Sequence, residues 1–162
     1  MGAASSGEPL IREATISDMP TVYEIGRECF TDAWRKETLC ADFERPHSAY
    51  LVAESAEEIV AYACLWFVVD EMQLVNIGVS KKARRRGIAS KMMREILTEA
   101  KARGMASMYL EVRTSNIAAQ ALYRKFGLAV KALRKGVYDL PKEDGFIMGR
   151  DFSEDPVYKE EI

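Results

Sequence analysis

Leu74-Val75-Asn76-Ile77-Gly78-Val79, then Ser80-Lys81-Lys82-Ala83, then Arg84-Arg85-Arg86-Gly87-Ile88-Ala89-Ser90 is the stretch on which the fold turns. An apolar, strand-like run passes through a basic connection into an amphipathic run that extends to Ala100. A helix start leaves several backbone N–H groups without intrahelical partners and carries partial positive charge. Gly87 has no Cβ and Ala89 a small one, so a ligand can come close to the main chain. The three arginines add diffuse positive charge. Together these features make an anion seat suited to a diphosphate. Spacing alone also admits a plainer reading, a solvated basic face followed by a turn glycine. Two familiar phosphate loops do not fit. A P-loop ends in Gly-Lys-Ser/Thr, whereas Ile88 follows Gly87; a dinucleotide fingerprint needs more glycine-type positions than Gly87 and Ala89 supply.

The flanking segments alternate between strand and helix periods. Leu10 to Ala14 reads as a short strand. Ser17 is placed to cap a helix with Pro20 in its first turn, and Val22, Ile25, Cys29 and Phe30 recur at helical spacing. A second helix is expected over about 34–43, stopped by Pro46. Ala49 to Glu54 and Ile59 to Val69 form a hairpin across Ala56-Glu57-Glu58, and Met72 to Val79 is a third strand. Ile88, Met92, Ile96 and Ala100 form a helix stripe, widened by Ala89, Met93 and Leu97 and ended at Gly104. Met108, Leu110 and Val112 alternate with Tyr109, Glu111 and Arg113 at strand period. A helix over 116–126 buries Ala118, Ala119, Leu122 and Phe126; Leu128 to Leu133 and Phe146 to Met148 close the sheet. The predicted fold class is α/β (α+β): one domain with a mixed, mostly antiparallel central sheet and helices on both faces. It occupies residues 10–152, between an N-terminal tail (1–9) and a C-terminal tail (153–162).

Composition narrows the function. With 162 residues and 48% hydrophobic content, one domain has ample core. A net charge of −2 makes no global case for binding nucleic acid. The longest apolar run, Ile59 to Val69, is too short for a membrane helix. The first nine residues lack a secretory leader pattern, although Met-Gly-Ala-Ala-Ser-Ser loosely fits a myristoylation signal. A cytoplasmic protein is expected. Cys29, Cys40 and Cys64 are scattered and read as buried free thiols; His47 reads as a surface loop residue, and no metal site is expected.

The segment Asn76 to Ser90, with Arg84-x-x-Gly87-x-Ala89 inside it, resembles the acyl-CoA motif of the GCN5-related N-acetyltransferase (GNAT) superfamily. A second block resembles the RimI-type branch of that superfamily: Leu110-Glu111-Val112-Arg113-Thr114-Ser115-Asn116, then Ala121-Leu122-Tyr123 and Phe126-Gly127. The likeness spans about Leu10 to Phe152, with the two motifs in the order the family has them. It implies a sheet whose central strands splay to admit acetyl-CoA, the acetyl donor. It also implies action on protein N-termini, notably the N-terminal alanine of a small-subunit ribosomal protein. In that branch the glutamate matching Glu111 accepts a proton and the tyrosine matching Tyr123 donates one. Ile77, Gly78 and Val79 match the strand backbone that holds the acetyl and pantetheine portion. Arg85, Arg86, Gly87, Ile88, Ala89 and Ser90 match the diphosphate seat, and Asn116 matches a pantetheine contact. Trp34, Asp70, Glu71 and Tyr138 fall where the branch shapes its peptide cleft. The chain departs from the family near its C-terminus: Val137-Tyr138 stands where adjacent tyrosines are usual, and the following segment is shorter.

The residues carry independent readings beside this resemblance. By alternation alone Glu111 is a solvent-facing strand residue; Tyr123 is a core aromatic with its hydroxyl at the rim; Asn116 is an N-cap. Asp70 and Glu71 can attract a cationic N-terminus or simply end a strand. Acetyl transfer to an amine needs a neutral nucleophile, a stabilised carbonyl oxygen and a protonated or stabilised leaving thiolate. A peptide α-amine, with pKa about 7.7–8.0, is about a tenth neutral at pH 7; a lysine at ~10.4 is less than about a thousandth neutral. An enzyme for N-termini therefore needs one well-placed carboxylate. The same fold acting on lysines or small amines, and a non-catalytic acyl-CoA-binding domain, are the competing readings. Having both Glu111 and Tyr123 weighs against the last, since pure binding needs neither.

Overall fold

The computed structural model describes residues 8–154. Most of the two predicted tails, 1–7 and 155–162, lies outside the described residues. The elements are β1 (Leu10–Glu13), α1 (Met19–Cys29), α2 (Lys36–Phe43), β2 (Ser48–Ser55), β3 (Glu58–Val68), β4 (Glu71–Val79), α3 (Ile88–Ala102), β5 (Ser107–Arg113), α4 (Ile117–Lys125), β6 (Ala129–Asp139) and β7 (Lys142–Asp151). The seven strands are ordered β1-β2-β3-β4-β5-β7-β6. The registered pairs are antiparallel except β4–β5, which is parallel, as the mixed, mostly antiparallel reading requires.

Residues through Trp66, together with Asn76–Glu95, form one compact unit. Its core follows the sequence periods. Met19, Val22 and Ile25 recur on one face of α1, Val52, Ala61, Ala63 and Leu65 fill the β2–β3 hairpin, and Met92 and Met93 come from α3; all are buried. The hairpin turns through Ala56 and Glu57, both with positive φ (52° and 64°), the geometry whose twist matches paired strands. Ser17 is not the cap of α1: it lies in a 3₁₀ turn, and Asp18 precedes the helix. The Asp18 carboxylate accepts from Thr15 N–H and Arg12, which uses its fork fully because it donates to both Asp18 oxygens and to Glu54. The Arg12 guanidinium, with the Thr15 N–H, holds the Asp18 carboxyl down to about 2.

Phe67–Val75 and residues from Ile96 on form the second unit. Met72 and Leu74 of β4, Met108, Leu110 and Val112 of β5, and Met148 of β7 are buried at strand period. Parallel pairing of β4 with β5 runs from Glu71↔Ser107 to Leu74↔Leu110. Helix α3 ends with Met105 N–H donating to Ala100 O and Gly104 N–H to Lys101 O, the paired C-terminal cap that Gly104 foretold.

Three expectations need correction. Helix α4 buries Gln120 and Tyr123 rather than Ala118, which is exposed. The cause is a polar anchor that an apolar pattern does not weigh: Gln120 Nε2 donates to Arg113 O and Thr114 O. The last two strands are longer than predicted, because β6 is an edge strand whose exposed face carries charges in place of an alternating apolar pattern. Cys64 is buried, but Cys29 and Cys40 are only half-buried; all three are free thiols. His47 is exposed, as read.

Candidate acetyl-transfer site

In the first unit β4 ends at Val79, and a 3₁₀ turn over Lys81–Ala83 leads to the arginines. Gly78 is needed for space. A Cβ there would stand 3.1 Å from Cys29 Sγ and 3.3 Å from Tyr62 Cε1, so the backbone approaches these side chains closely. The three arginines do different things. Arg84 is turned back on the strand, donating Nε–H to Val79 O at 3.2 Å. Arg86 donates to Ser55 Oγ at 3.1 Å. Arg85 is exposed with φ 64°, and Gly87 has φ 72°. The turn thus holds two left-handed residues within three positions.

Helix α3 begins at Ile88, and Lys91 N–H is the first to donate back, to Gly87 O at 3.1 Å. The N–H groups of Ile88, Ala89 and Ser90 precede that bond and have no intrahelical acceptor. A Cβ added at Gly87 would meet nothing within 4 Å, so the surface above the turn is open. The turn and helix start thus offer main-chain donors, partial positive charge and room: the requirements of a diphosphate.

In the second unit, β5 alternates so that Glu111 leaves the strand opposite its buried neighbours Leu110 and Val112. Its Oε2 accepts from Arg134 Nη1 at 3.0 Å. Tyr123 is buried on α4, and burial, with Tyr138 nearby, pushes its phenol well above the ordinary value. It therefore keeps its proton at neutral pH. Gly145 of β7 shows what approaches Glu111. A Cβ built on it would lie 2.9 Å from Tyr138 Cε2, 2.9 Å from Val137 Cγ1 and 3.4 Å from Glu111 Cγ. Glu111 and Tyr138 therefore close over one glycine, and Tyr138 lies close enough to Tyr123 to influence its titration.

Arg113 stacks over the Tyr138 ring at 4.4 Å and donates to Leu140 O, Pro141 O and Glu143, which fixes the β6–β7 turn. Glu143 in turn accepts from Ser115 N–H at 2.7 Å, and these bonds hold its carboxyl below the usual range. Asn116 is the N-cap of α4: its Oδ1 accepts from Ala119 N–H at 3.1 Å.

Trp34 stacks on Trp66 at 6.1 Å and lines a cavity of about 290 Å³ with Tyr23, Arg27, Phe30, Thr31, Ala33 and Arg35. Asp42, which no sequence pattern singled out, is buried beneath it and accepts from Trp66 Nε1, Tyr50 Oη and Cys64 Sγ. Asp70 and Glu71 stand apart from Glu111. Glu71 pairs with Ser107, four residues before Glu111 along β5, or about 13 Å. The Asp70 carbonyl is taken by Ala106 N–H.

Strand, arginine turn, helix start, then a strand glutamate and a helix tyrosine form one order along the chain. The family model of GNAT acetyltransferases matches residues 19–128. The chain belongs to the GNAT acetyltransferase family. Acetyl transfer is the reaction of that family, and acetyl-CoA its donor. The N-alpha-acetyltransferase RimI of Mycobacterium tuberculosis is 33% identical over 156 residues, covering 92% of this chain and 96% of that protein. The ribosomal protein bS18-alanine N-acetyltransferase of Escherichia coli is 29% identical over 134 residues, covering 82% and 90%. The crystal structure of the Escherichia coli ribosomal-protein-S18-alanine N-acetyltransferase superimposes with a TM-score of 0.83 at 28% identity, over 88% of this chain and 93% of that one. The GNAT fold is therefore that of this chain.

Proposed function

We propose that this protein moves the acetyl group of acetyl-CoA onto the N-terminal α-amine of a protein, with the N-terminal alanine of a small-subunit ribosomal protein as its acceptor. The observation that carries the chemistry is the cluster around Gly145, where Glu111 and Tyr138 close over one glycine and Tyr138 in turn lies near the protonated Tyr123. The similarity to the bS18-alanine enzyme and to RimI supports the choice of acceptor.

In this reading the Arg85–Ser90 turn binds the donor's diphosphate through main-chain N–H groups, with Arg85 and Arg86 adding charge. The backbone of Ile77, Gly78 and Val79 holds the acetyl end, where an N–H steadies the carbonyl oxygen as it gains charge. Asn116 contacts the pantetheine amides in addition to capping its helix. Glu111 takes the proton of the acceptor ammonium, directly or through a water. An α-amine is about a tenth neutral at pH 7, so one carboxylate suffices. Tyr123 returns a proton to the departing thiolate; a phenol held in protonated form by burial is suited to that role. Trp34, with its aromatic and arginine neighbours, and Tyr138 shape the acceptor's path. The domain is assigned to residues 10–152.

A peptide panel tests the assignment. Purified protein and acetyl-CoA are offered peptides with a free N-terminal alanine, the same peptides with blocked N-termini, and peptides whose only free amine is a lysine. Acetylation should require the free α-amine. Product confined to lysine, or transfer to small amines alone, overturns the N-terminal assignment; no transfer to any amine favours a binding domain.

A further inference from the structure

One charged side chain outside the assigned set reaches the carboxylate on which proton removal depends. Arg134 Nη1 lies 3.0 Å from Glu111 Oε2, with the two side chains 55% and 30% exposed. Strand β6 is irregular there. Arg134 pairs with Gly145 of β7, but Tyr138 pairs with Glu143, so four steps along β6 match two along β7. The surplus residues form a bulge. Gly136 sits within it at φ 61°, a conformation that suits glycine, and its N–H donates to Asp144 Oδ1 at 2.7 Å.

The bulge shortens the distance between Arg134 and Tyr138 along the sheet from about 13 Å to about 7 Å. Arg134, paired with Gly145 ahead of the bulge, already reaches Glu111, and the bulge brings Tyr138 over the same glycine. The arrangement is specified from both strands: Asp144 pins the bulge, and Gly145, one residue on, leaves the space over which Tyr138 and Glu111 close. Arg134 engages Oε2 alone. Oε1 of Glu111 has no partner among the described residues.

We propose that Arg134 is a positioning residue for the general base: it holds one oxygen of the Glu111 carboxylate and leaves the other to receive the acceptor's proton. The role rests on Glu111 being the base. A half-exposed ion pair contributes little to folding stability, so its removal should be read in turnover and not in loss of fold.

The test uses the full chain, acetyl-CoA and a peptide with a free N-terminal alanine. Arg134→Ala should lower kcat about five- to ten-fold and leave the KM for acetyl-CoA within about two-fold. Arg134→Lys should keep most of the rate, since it can still donate to Oε2. Added guanidinium ion should restore Arg134→Ala more than the same concentration of sodium chloride, a rescue that a purely structural role would not give. In a Glu111→Gln background, Arg134→Ala should cause no further loss. A wild-type kcat for Arg134→Ala, or the same loss with Glu111 already replaced, overturns the role of Arg134 while leaving Glu111 in place. A wild-type rate for Glu111→Gln overturns the base assignment itself, and the role of Arg134 with it.

Discussion

The turn over Arg84–Ser90 and the cluster around Gly145 are both polar, half-open regions, yet they present different parts of the chain. In the turn, two of three arginines are occupied with the protein itself, one on Val79 O and one on Ser55, while Arg85 and Gly87 take left-handed backbone. All three arginines stay exposed, and the helix-start N–H groups of Ile88, Ala89 and Ser90 have no intrahelical acceptor. Around Gly145 the main chain is consumed by β5–β7 and β6–β7 pairing, and what converges is side chains. A region built from backbone should tolerate side-chain replacement; one built from side chains should fail at single positions.

Substitutions can break or sharpen that contrast. Glu111→Gln should reduce kcat by about a hundred-fold or more and leave acetyl-CoA binding intact, measured by steady-state kinetics and by direct titration of the donor. A rate near wild type would remove the carboxylate from the chemistry. Tyr123→Phe deletes one buried hydroxyl and keeps the ring, so kcat should fall about ten- to a hundred-fold with the melting temperature nearly unchanged. An unaltered rate would make Tyr123 a packing residue.

Gly145→Ala drives a methyl into Tyr138 and Val137, both at 2.9 Å, and should cost about ten-fold in kcat with little change in the KM for acetyl-CoA. If donor affinity falls instead, the division between the two regions is wrong. The double change Arg85→Ala, Arg86→Ala should raise the KM for acetyl-CoA only about three- to ten-fold, with the deficit shrinking as salt rises. A hundred-fold effect would mean that the seat relies on side chains after all.

A control lies outside both regions. Arg12 holds the Asp18 carboxyl at about 2, below its ordinary 3.8. A depressed folded-state value contributes stability that is present above the ordinary value and is lost as pH falls from about 4 towards 2. Arg12→Ala should therefore lower stability at neutral pH by of order 1 kcal/mol, flatten the acid dependence over that window, and leave kcat alone. Thermal melts at a series of pH values would reveal it.

Much of this was legible from residue order. Hydrophobic period placed the buried strands and helices, because Val52, Met92 or Leu110 must each face a core whatever else they do. The RimI-like block marked Glu111 and Tyr123 for the roles proposed above, and Asn116 was readable as a cap from its residue type alone. The failures share a cause. Gln120 was overlooked as a buried residue because its burial depends on two carbonyls at the end of β5. Arg134 was invisible because β6 was ended at Leu133, and an exposed edge strand shows no apolar alternation by which to extend it. That Glu71 stands opposite Ser107, four residues before Glu111, was likewise settled only by the pairing of β4 with β5.

Residue order alone determined the elements, the Arg-x-x-Gly-x-Ala turn and the membership of a family, since each depends on local period or on neighbours within a few positions. Tertiary structure decided which distant side chains meet: Tyr138 with Glu111 over Gly145, Arg134 with that same carboxylate, Asp42 beneath Trp66. Those meetings depend on strand register and on a bulge that shortens one strand against its partner, and one residue of slip would send every side chain to the other face.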